Sequence, residues 1–395
     1  MTGARGDSAA TESPPCHGDR SASPAENRWD LAEKEQQKGN HMNRIGVLTS
    51  GGDAPGMNAA IRSVVRTALD LDMSVVGFKR GYNGLLMRSK DQNDDFEILT
   101  ARSVSDKIHR GGTFLMTARC LEFLEPETQR QALKNLRALG IEGLVCIGGD
   151  GTYKGAQALN DLGFPTVGVP GTIDNDLAYT DFTIGFDTAL NTACECLNRI
   201  RETSDSHERA SMITVMGRNC GDIALNTALA CGAEIVMVPE KPWSLEEVAE
   251  RVKWGVLRGK RSILIIFAEG ALSSLTSDLA AICARYENLK DISVRHVTSS
   301  QIAMIIEALS GHETRSTVLG YIQRGGSPSA RDRLLAIRLG AYAVELLHRD
   351  ISGVAVGERG LKPVHVPFED VQKGTHAVDE GLSQLIDVMA VMTRK

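Results

Sequence analysis

Short apolar runs alternate with amphipathic stretches along most of the chain, and the two patterns predict strands and helices in turn. The apolar runs are continuous, which is typical of parallel strands covered on both faces. The predicted strands are RIGVLTS, SVVGFK, LVCIGGD, TVGVPG, SMITVMG, EIVMVPE, SILIIFAEG and STVLGYI. The predicted helices include NAAIRSVVRTALDL, TQRQALKNLRALG, GDIALNTALACG and LEEVAERVKWGVLRG. The alternation predicts an open, doubly wound α/β fold with ligand sites at the carboxyl ends of its strands.

The chain is long enough for two such domains. It has 395 residues, and eight predicted strands favour two sheets over one. Residues 1–41 differ from the rest because they contain no Ile, Val, Phe or Tyr, and such a segment cannot bury enough apolar surface to fold. We therefore predict a disordered N-terminal extension over 1–41, ending directly before Met42 and the first strand.

Composition and charge narrow the class of partner. The formal net charge is −6, which argues against nucleic acid as the main partner. No apolar run reaches membrane-spanning length, and residues 1–41 lack the apolar core of a secretory signal. The eight cysteines lack paired CxxC spacing, so we expect small buried apolar residues in a reducing compartment and no zinc site. The expected location is the cytoplasm, with no nucleic acid and no membrane as partner.

Three strands end in polar, glycine-rich turns that are candidates for chemistry. In the first, VLTSGGDAPGMNAAIR, Gly51 and Gly52 lie between a strand and a helix, where backbone N–H groups can face an anion. Glycines at such a position also occur simply to form a tight turn, so a ligand role and a structural role are both open.

The second turn, LVCIGGDGTYKGA, is close to a dinucleotide-binding fingerprint, with Gly149, Gly151 and Gly155. The chain has no GxxxxGK[ST] motif, so a P-loop nucleotide site is excluded. A carboxylate inside such a turn, Asp150, suits a Mg²⁺ ion that also binds substrate phosphates. The alternative is that Asp150 caps the helix that follows.

The third turn, PGTIDND, places Asp174 and Asp176 directly after a predicted strand. A carboxylate can take the proton from a hydroxyl that attacks a phosphoryl group, and a second one nearby can orient the first or reach a metal through water. An Asx-rich turn without a catalytic role is the alternative. Anion binding would come from arginines close to strands or turns, namely Arg209, Arg218, Arg315 and Arg324.

Seven motifs in this order resemble the ATP-dependent 6-phosphofructokinase family, from about Arg44 to at least Tyr342. They are GVLTSGGDAPGMNAAIR, GGDGT, PGTIDND, TIGFDTA, MGRNCGD, VPE and ETRSTVLGYIQRGGSPSARDR. The resemblance implies transfer of the γ-phosphoryl group of MgATP to the 1-hydroxyl of fructose 6-phosphate. It also implies two Rossmann-like three-layer domains with the active site in the cleft between them. These are an ATP-binding domain of residues 42–184 and 322–375 and a fructose 6-phosphate-binding domain of residues 185–321 and 376–395.

The resemblance also implies roles for individual residues. ATP would contact Gly52, Arg119, Cys120, Gly149, Asp150, Gly151 and Thr152, with Asp150 as the metal ligand. Asp174 would be the general base, and the other catalytic residues would be Asp176, Arg218, Thr172, Gly52 and Arg119. The sugar phosphate would contact Thr172, Ile173, Asp174, Arg209, Met216, Gly217, Arg218, Glu269, Arg315, Tyr321, Ile322, Gln323 and Arg324.

Two glycines bear on the phosphoryl donor. Members of the family that use pyrophosphate tend to carry an acid at the position of Gly151 and a lysine at the position of Gly171. Glycine at both positions leaves room for the α-phosphate of ATP, so the resemblance favours ATP, with a pyrophosphate-dependent enzyme as the nearest alternative. From other classes, a Rossmann-type NAD-dependent oxidoreductase and a catalytically silent nucleotide sensor stay open.

The resemblance implies a homotetramer, because the residues matching Arg209 and Arg315 reach into a neighbouring subunit's site. It also places Arg62, Arg66, Arg201 and Lys260 at effector-site positions of a subunit interface. Arg62 and Arg66 are four residues apart on a predicted helix, where a solvated face explains them equally well. Residues 271–297 are additional to the compact bacterial forms, and SDLAAICARYENLK within them predicts an added helix.

Overall fold

A computed structural model of the chain describes residues 42–371 and 379–389. The predicted extension over 1–41 lies outside the described residues. The strands are β1 (Arg44–Thr49), β2 (Ser74–Phe78), β3 (Phe96–Leu99), β4 (Gly143–Gly148), β5 (Thr166–Thr172), β6 (Ile184–Gly185), β7 (Ala210–Val215), β8 (Ile235–Met237), β9 (Ile263–Ala268), β10 (Thr314–Val318), β11 (Val354–Arg359) and β12 (Lys362–Pro367). The helices are α1 (Met57–Asp70), α2 (Tyr82–Leu85), α3 (Pro126–Ala138), α4 (Asp150–Asp161), α5 (Phe186–His207), α6 (Asp222–Cys231), α7 (Leu245–Leu257), α8 (Leu279–Arg285), α9 (Ser299–Ser310), α10 (Ala330–His348), α11 (Phe368–Val371) and α12 (Glu380–Met389).

The first sheet has the strand order β12-β11-β5-β4-β1-β2-β3, and β6 pairs with β5. All pairs in it are parallel except β2 with β3 and β11 with β12, which lie at its two edges. The chain leaves β1 towards β2 on one side and later returns to place β4 on the other side. The strand order therefore reverses between β1 and β4, which is where doubly wound sheets bind their ligands.

The second sheet contains four parallel strands in the order β10-β7-β9-β8. Its register places Val215 of β7 opposite Ala268 of β9, and Thr214 opposite Val318 of β10. The carboxyl ends of these three strands therefore lie together, as do those of β1, β4 and β5 in the first sheet. The α/β fold class with two Rossmann-like sheets is confirmed; the residue boundaries of the two domains stay a prediction.

Helices cover both faces of the first sheet. Val47 and Val145 point into the same apolar core as α1 and α10, whereas their neighbours Leu48 and Leu144 point into the core formed with α3 and α4. In the second sheet every residue of β7 and β9 is buried. The continuous apolar runs of the sequence thus reflect parallel strands packed on two sides.

All eight predicted strand segments contain a strand, and the added helix is present as α8. In STVLGYI the strand ends at Val318, and Gly320–Arg324 forms a 3-10 helix. The sequence pattern missed β3, β6, β11 and β12. β3 and β12 are edge strands with exposed or half-exposed positions, and β6 has only two residues, so none of the three carries a continuous apolar run.

The described residues contain seven free cysteines. Three of them are buried, namely Cys146, Cys220 and Cys283, and the other four are half-exposed. The expectation of buried cysteines is therefore right for three and wrong for four. In this part of the chain, no helix is long and apolar enough to cross a membrane.

Candidate active site

Three neighbouring strands of the first sheet end at one wall of a cleft of about 430 Å³. β1 is followed by Gly52, β4 by Gly149 and Asp150, and β5 by Asp174. Their carboxyl ends lie side by side because β5, β4 and β1 are adjacent and parallel. Since α4 begins at Asp150 on this wall, its first N–H groups and the positive end of its dipole favour an anion here.

The second sheet supplies the other wall through the loop after β7, in which Arg218 lines the cleft. β7 is followed by Met216, Gly217 and Arg218, and β9 is followed by Glu269. The Arg218 backbone N–H donates to the Glu269 carboxylate (2.7 Å), and the Met216 N–H donates to the side-chain oxygen of Gln323 (3.2 Å). These bonds join the ends of β7 and β9 and the 3-10 turn after β10 into one surface.

Arg218 crosses from the second wall to the first. Its guanidinium lies 3.3 Å from the carboxylate of Asp150 and 3.7 Å from that of Asp176. Burial lowers the pKa of Arg218, but the neighbouring carboxylates, Asp150 foremost, outweigh burial and raise it overall. Asp150 is the first residue of α4 and Gly149 is the N-cap, so the interpretation of Asp150 as the cap is wrong.

Asp174 is the buried carboxyl group of the cleft. It is 3% exposed, and its Oδ1 atom has no hydrogen-bond partner. Burial, followed by the negative charge of Asp176, raises its pKa to about 6, while Arg324 and Arg218 act in the opposite direction. A carboxyl group with this pKa is ionised near pH 7 yet basic enough to accept a proton.

Arg324 reaches the turn after β1, where the sequence has Gly52. A Cβ atom at Gly52 would lie only 2.7 Å from Nη1 of Arg324, so a side chain there would displace the guanidinium. The same Nη1 donates to the backbone oxygen of Asp53 (3.2 Å). Arg324 therefore lies beside both the glycine turn and Asp174, between the predicted ATP and sugar sites.

The far end of the cleft is apolar and aromatic, which the turn motifs did not predict. The Tyr82 and Phe123 rings stack with centroids 4.3 Å apart, and the Tyr82 hydroxyl donates to the Thr152 backbone oxygen (2.5 Å). Such a wall suits a planar aromatic ligand group. The other lining residues that sequence reasoning missed are Ser50, Leu121, Leu124, Gln129 and Lys154, whereas the predicted Arg119 and Cys120 and the fingerprint residue Gly155 are among the lining residues.

Several residues predicted to contact a substrate lie in the turns, but their side chains are buried in the protein. The side chains of Ile173 and Gln323 are fully buried, so they can meet a substrate only through their backbone. Thr152 and Thr172 are also buried, and their hydroxyls bond to the Ser50 backbone oxygen and the Asp174 N–H. By contrast, Tyr321 is 83% exposed and Ile322 is 55% exposed.

Arg209 and Arg315 do not reach the cleft of their own chain. Arg209 directly precedes β7 and Arg315 is the second residue of β10, so both lie at the amino ends of strands whose carboxyl ends form the cleft. Each pairs with Glu313, Arg209 at 3.8 Å and Arg315 at 3.0 Å, and Arg315 also lies 3.4 Å from Glu307. A single chain therefore contributes these two arginines to another surface.

The four predicted effector-site residues form two separate pairs. Arg201 donates to the backbone oxygens of Cys231 and Gly232, and Lys260 lies 2.7 Å from Glu234, so both contact the segment after α6. The other pair, Arg62 and Arg66, lies on α1 of the first sheet. An effector role for the four residues together stays a prediction.

The carboxylates of the cleft suit a magnesium ion. The Asp150 carboxylate is 40% exposed and that of Asp176 is 25% exposed, and both face the Arg218 guanidinium. Mg²⁺ is commonly bound by one or two carboxylates together with substrate phosphates and water, so a preformed cage is not required. The described residues contain no cluster of three or more His, Cys, Asp or Glu side chains arranged for a metal.

The sequence profile of the family described as Phosphofructokinase matches residues 44–347, which include both walls of the cleft. The chain belongs to the phosphofructokinase family. This membership decides against the dinucleotide-dependent oxidoreductase alternative. Two relatives of this phosphofructokinase are named ATP-dependent 6-phosphofructokinase. The protein of Macrococcus caseolyticus is 46% identical over 350 residues, and that of Clostridium botulinum strain Loch Maree is 47% identical over 354; each alignment covers 89% of this chain and the whole relative.

Solved structures of phosphofructokinases share the fold. The enzyme of Saccharomyces cerevisiae is 33% identical, with a TM-score of 0.72 over 88% of this chain, and this chain spans about half (48%) of the yeast chain. A pyrophosphate-dependent phosphofructokinase from Nitrosospira multiformis has the same TM-score of 0.72 at 16% identity, covering 89% of this chain and 92% of its own. Agreement at that identity extends to the fold and does not bear on the donor.

Proposed function

We propose that this chain is an ATP-dependent 6-phosphofructokinase, which transfers the γ-phosphoryl group of MgATP to the 1-hydroxyl of fructose 6-phosphate. The observation that carries the proposal is the arrangement around Asp174. A buried carboxyl with an unpaired oxygen and a pKa of about 6 lies in the same cleft as Arg218, which spans the two walls. Phosphoryl transfer needs this combination of a base for the hydroxyl and fixed positive charge for the moving group.

ATP fits the first wall from its apolar end to the glycine turns. We infer that the adenine ring of ATP lies in the region of Phe123. The phosphates of ATP would then run past Gly52, Gly151 and the N-terminus of α4. A Cβ atom at Gly151 would meet nothing within 4 Å, so an acidic side chain there would project into the cleft and repel the α-phosphate, which ATP has and pyrophosphate lacks. The glycine at this position therefore supports ATP over pyrophosphate as the donor.

In the reaction, Asp174 takes the proton of the sugar 1-hydroxyl as its oxygen attacks phosphorus. Arg218 balances the charge on the transferring group, and Arg119 is assigned the same task from the ATP side. A bound Mg²⁺ would be held by Asp150 and would neutralise charge on the donor phosphates. Asp176 helps to hold Arg218 in place, since their side chains lie 3.7 Å apart.

The sugar site is the second wall, completed by another copy of the chain. Met216, Gly217 and Glu269 would contact the sugar, and Arg324 its phosphate. Arg209 and Arg315 lie at the amino ends of their strands, away from their own cleft, so we infer that they serve the sugar phosphate of a neighbouring subunit in a homotetramer. Membranes retain ATP and sugar phosphates, which favours a cytoplasmic location.

The base assignment is tested by Asp174→Asn, which keeps the shape of the side chain but cannot accept the proton. We expect kcat for fructose 1,6-bisphosphate formation to fall about 10²- to 10⁴-fold, with the KM values for ATP and fructose 6-phosphate nearly unchanged. Asp161→Asn, an exposed residue at the end of α4, is the matched control and should retain wild-type turnover. Wild-type turnover in Asp174→Asn would contradict the assignment.

A further inference from the structure

Asn175 lies between the two aspartates of the PGTIDND turn, and both ends of its side-chain amide have hydrogen-bond partners. It is 3% exposed and adopts a left-handed backbone conformation with φ of 52°. Its side-chain NH₂ donates to the Asp222 carboxylate (2.8 Å), and its side-chain oxygen accepts from the Thr183 backbone N–H (3.0 Å). Because a carboxylate can only accept and an N–H can only donate, these partners fix the orientation of the amide.

The Asp222 bond joins the two walls of the cleft. Asn175 follows β5 of the first sheet, whereas Asp222 is the first residue of α6, which follows β7 of the second sheet. Arg218 lies only four residues before Asp222 in that same connection. A second contact runs in parallel, because the Cys220 thiol lies 3.9 Å from the backbone oxygen of Asn175. The turn that carries Asp174 is thus attached to the segment that carries Arg218.

Asp174 depends on its neighbours for its position. Its Oδ1 atom has no hydrogen-bond partner, and its backbone N–H donates to the Thr172 hydroxyl (3.2 Å). Thr183 holds the chain on both sides of Asp174, since its hydroxyl donates to the Thr172 carbonyl (2.6 Å) and its N–H donates to Asn175. The backbone that carries the Asp174 carboxylate is therefore fixed on both sides, by Thr172 and, from the C-terminal side, by Asn175.

We propose that Asn175, paired with Asp222, is a positioning residue that holds the Asp174 carboxylate in register with Arg218 across the cleft. The inference rests on the proposed role of Asp174 as the base. The preference of asparagine for left-handed turns explains the backbone conformation at this position but not the contacts to the second sheet. An asparagine without those contacts would satisfy the preference equally well.

The test compares Asn175→Gly, Asp222→Ala and Asp222→Asn. Glycine keeps the left-handed backbone accessible and removes only the side-chain bonds. Alanine at 222 removes the acceptor, whereas asparagine at 222 retains an oxygen that can accept from Asn175. We expect kcat to fall about 10- to 100-fold in Asn175→Gly and Asp222→Ala, with both KM values changed less than about threefold, and to stay within about threefold of wild type in Asp222→Asn.

The double variant Asn175→Gly/Asp222→Ala shows whether the two residues act as a pair. If they do, its kcat matches that of the worse single variant and does not fall to the product of the two losses. If Asn175→Gly does not fold, Asp222→Ala against Asp222→Asn gives the same comparison, and equal losses in both would overturn the role of the hydrogen bond.

The outcome for Asp174→Asn separates this inference from the proposed function. Loss of turnover in Asp174→Asn together with wild-type kcat in Asn175→Gly and Asp222→Ala would overturn the positioning role and leave the base in place. Retained turnover in Asp174→Asn would overturn the base assignment and, with it, the reason for positioning that residue.

Discussion

At the scale of single residues, the chemistry of this cleft rests on one carboxyl group whose surroundings oppose its ionisation. Asp174 is buried beside Asp176, and both features raise its pKa, while Arg324 and Arg218 limit the rise. Such a group is a stronger base than an exposed aspartate, but its charge is less well stabilised by the fold. Catalysis and stability therefore make opposite demands at this position.

The pH dependence of kcat/KM reports the base in the free enzyme. Because Asp174 must be ionised to accept a proton and its pKa is raised to about 6, we expect activity to fall as the pH drops through 6, tenfold for each further pH unit. The measurement is kcat/KM for fructose 6-phosphate from pH 5 to 8 at saturating MgATP. A profile that stays flat down to pH 5, as expected for an ordinary aspartate with a pKa near 4, would contradict the burial argument.

Asp174→Asn should stabilise the folded protein while it removes activity. A folded-state pKa of about 6 against an unfolded value near 4 means that ionised Asp174 lowers the free energy of unfolding, fully above pH 6 and progressively less as the pH falls to 4. We expect the variant to gain about 1 to 3 kcal/mol at pH 7.5 by denaturant unfolding, and the gain to shrink towards pH 4. Asp161→Asn should change stability by less than about 0.5 kcal/mol. A destabilised Asp174→Asn would disagree with this account.

Sequence motifs identified the charged residues of the site but not their geometry. Asp150 and Asp174 follow the adjacent parallel strands β4 and β5, so their approach follows from strand pairing, whereas the approach of Arg218 depends on the packing of the two sheets. Tyr82 and Phe123 stand outside these turns, in a four-residue helix and a four-residue 3-10 helix, and an aromatic residue in so short an element carries no pattern that distinguishes a ligand wall from a core. The hydrogen bond from Asn175 to Asp222 depends on the packing of two sheets, which local sequence does not encode.

At the scale of elements, adjacent strands place two glycines in different surroundings. Gly171 lies within β5, where a Cβ atom would come within 2.9 Å of the Ile147 side chain of β4, so its small size serves packing. Gly151 is the second residue of α4 and has open space in front of it. Packing therefore accounts for the glycine at position 171, and we propose that the donor is limited electrostatically at Gly151.

Asp and Ala substitutions at Gly151 separate charge from size. Both side chains fit without a clash, but only the carboxylate opposes the ATP phosphates, so we expect Gly151→Asp to raise the KM for ATP about tenfold or more and Gly151→Ala to change it less than threefold. Initial rates at varied MgATP measure the effect. An equal rise in both variants would show that size, and not charge, decides at this position.

Most strands that are buried on both faces followed from the sequence, but β11 did not, although it lies between β5 and β12 and five of its six residues are buried. β1, β4, β5, β7 and β9 each coincide with a continuous apolar run. β3 and β12 lie at the edges of the first sheet and pair antiparallel with one neighbour, so they need no such run. Their pairing is decided by tertiary context, which overrides local β-propensity.

At the scale of the whole molecule, each chain carries its own cleft. It also carries, away from that cleft, two arginines that are predicted to complete the cleft of a neighbouring chain. Arg209 and Arg315 pair with acids of their own chain at the amino ends of β7 and β10. β10 is also the outer strand of the second sheet, and residues at and after its carboxyl end are exposed, with Val318 58% exposed and Tyr321 83% exposed. Both features are expected of a surface that meets another copy in a closed assembly.

Mixed assemblies test whether a site is shared between chains. Asp174→Asn and Arg315→Ala should each be nearly inactive alone at low fructose 6-phosphate, because one lacks the base and the other a phosphate ligand. If Arg315 serves a neighbour, co-expression should restore about a quarter of the wild-type rate, in sites that combine the intact residue of each chain. A co-expressed sample no more active than the average of the two parents would show that Arg315 acts in its own chain or not at all.

The most direct test of the central claim is the choice of donor by the purified wild-type chain. Formation of fructose 1,6-bisphosphate from fructose 6-phosphate and Mg²⁺ is measured with ATP and, separately, with pyrophosphate at equal concentration. The account predicts rapid product formation with ATP and a rate with pyrophosphate at least about a hundredfold lower, since the open position at Gly151 suits the longer donor. Product formation with pyrophosphate and none with ATP would contradict it.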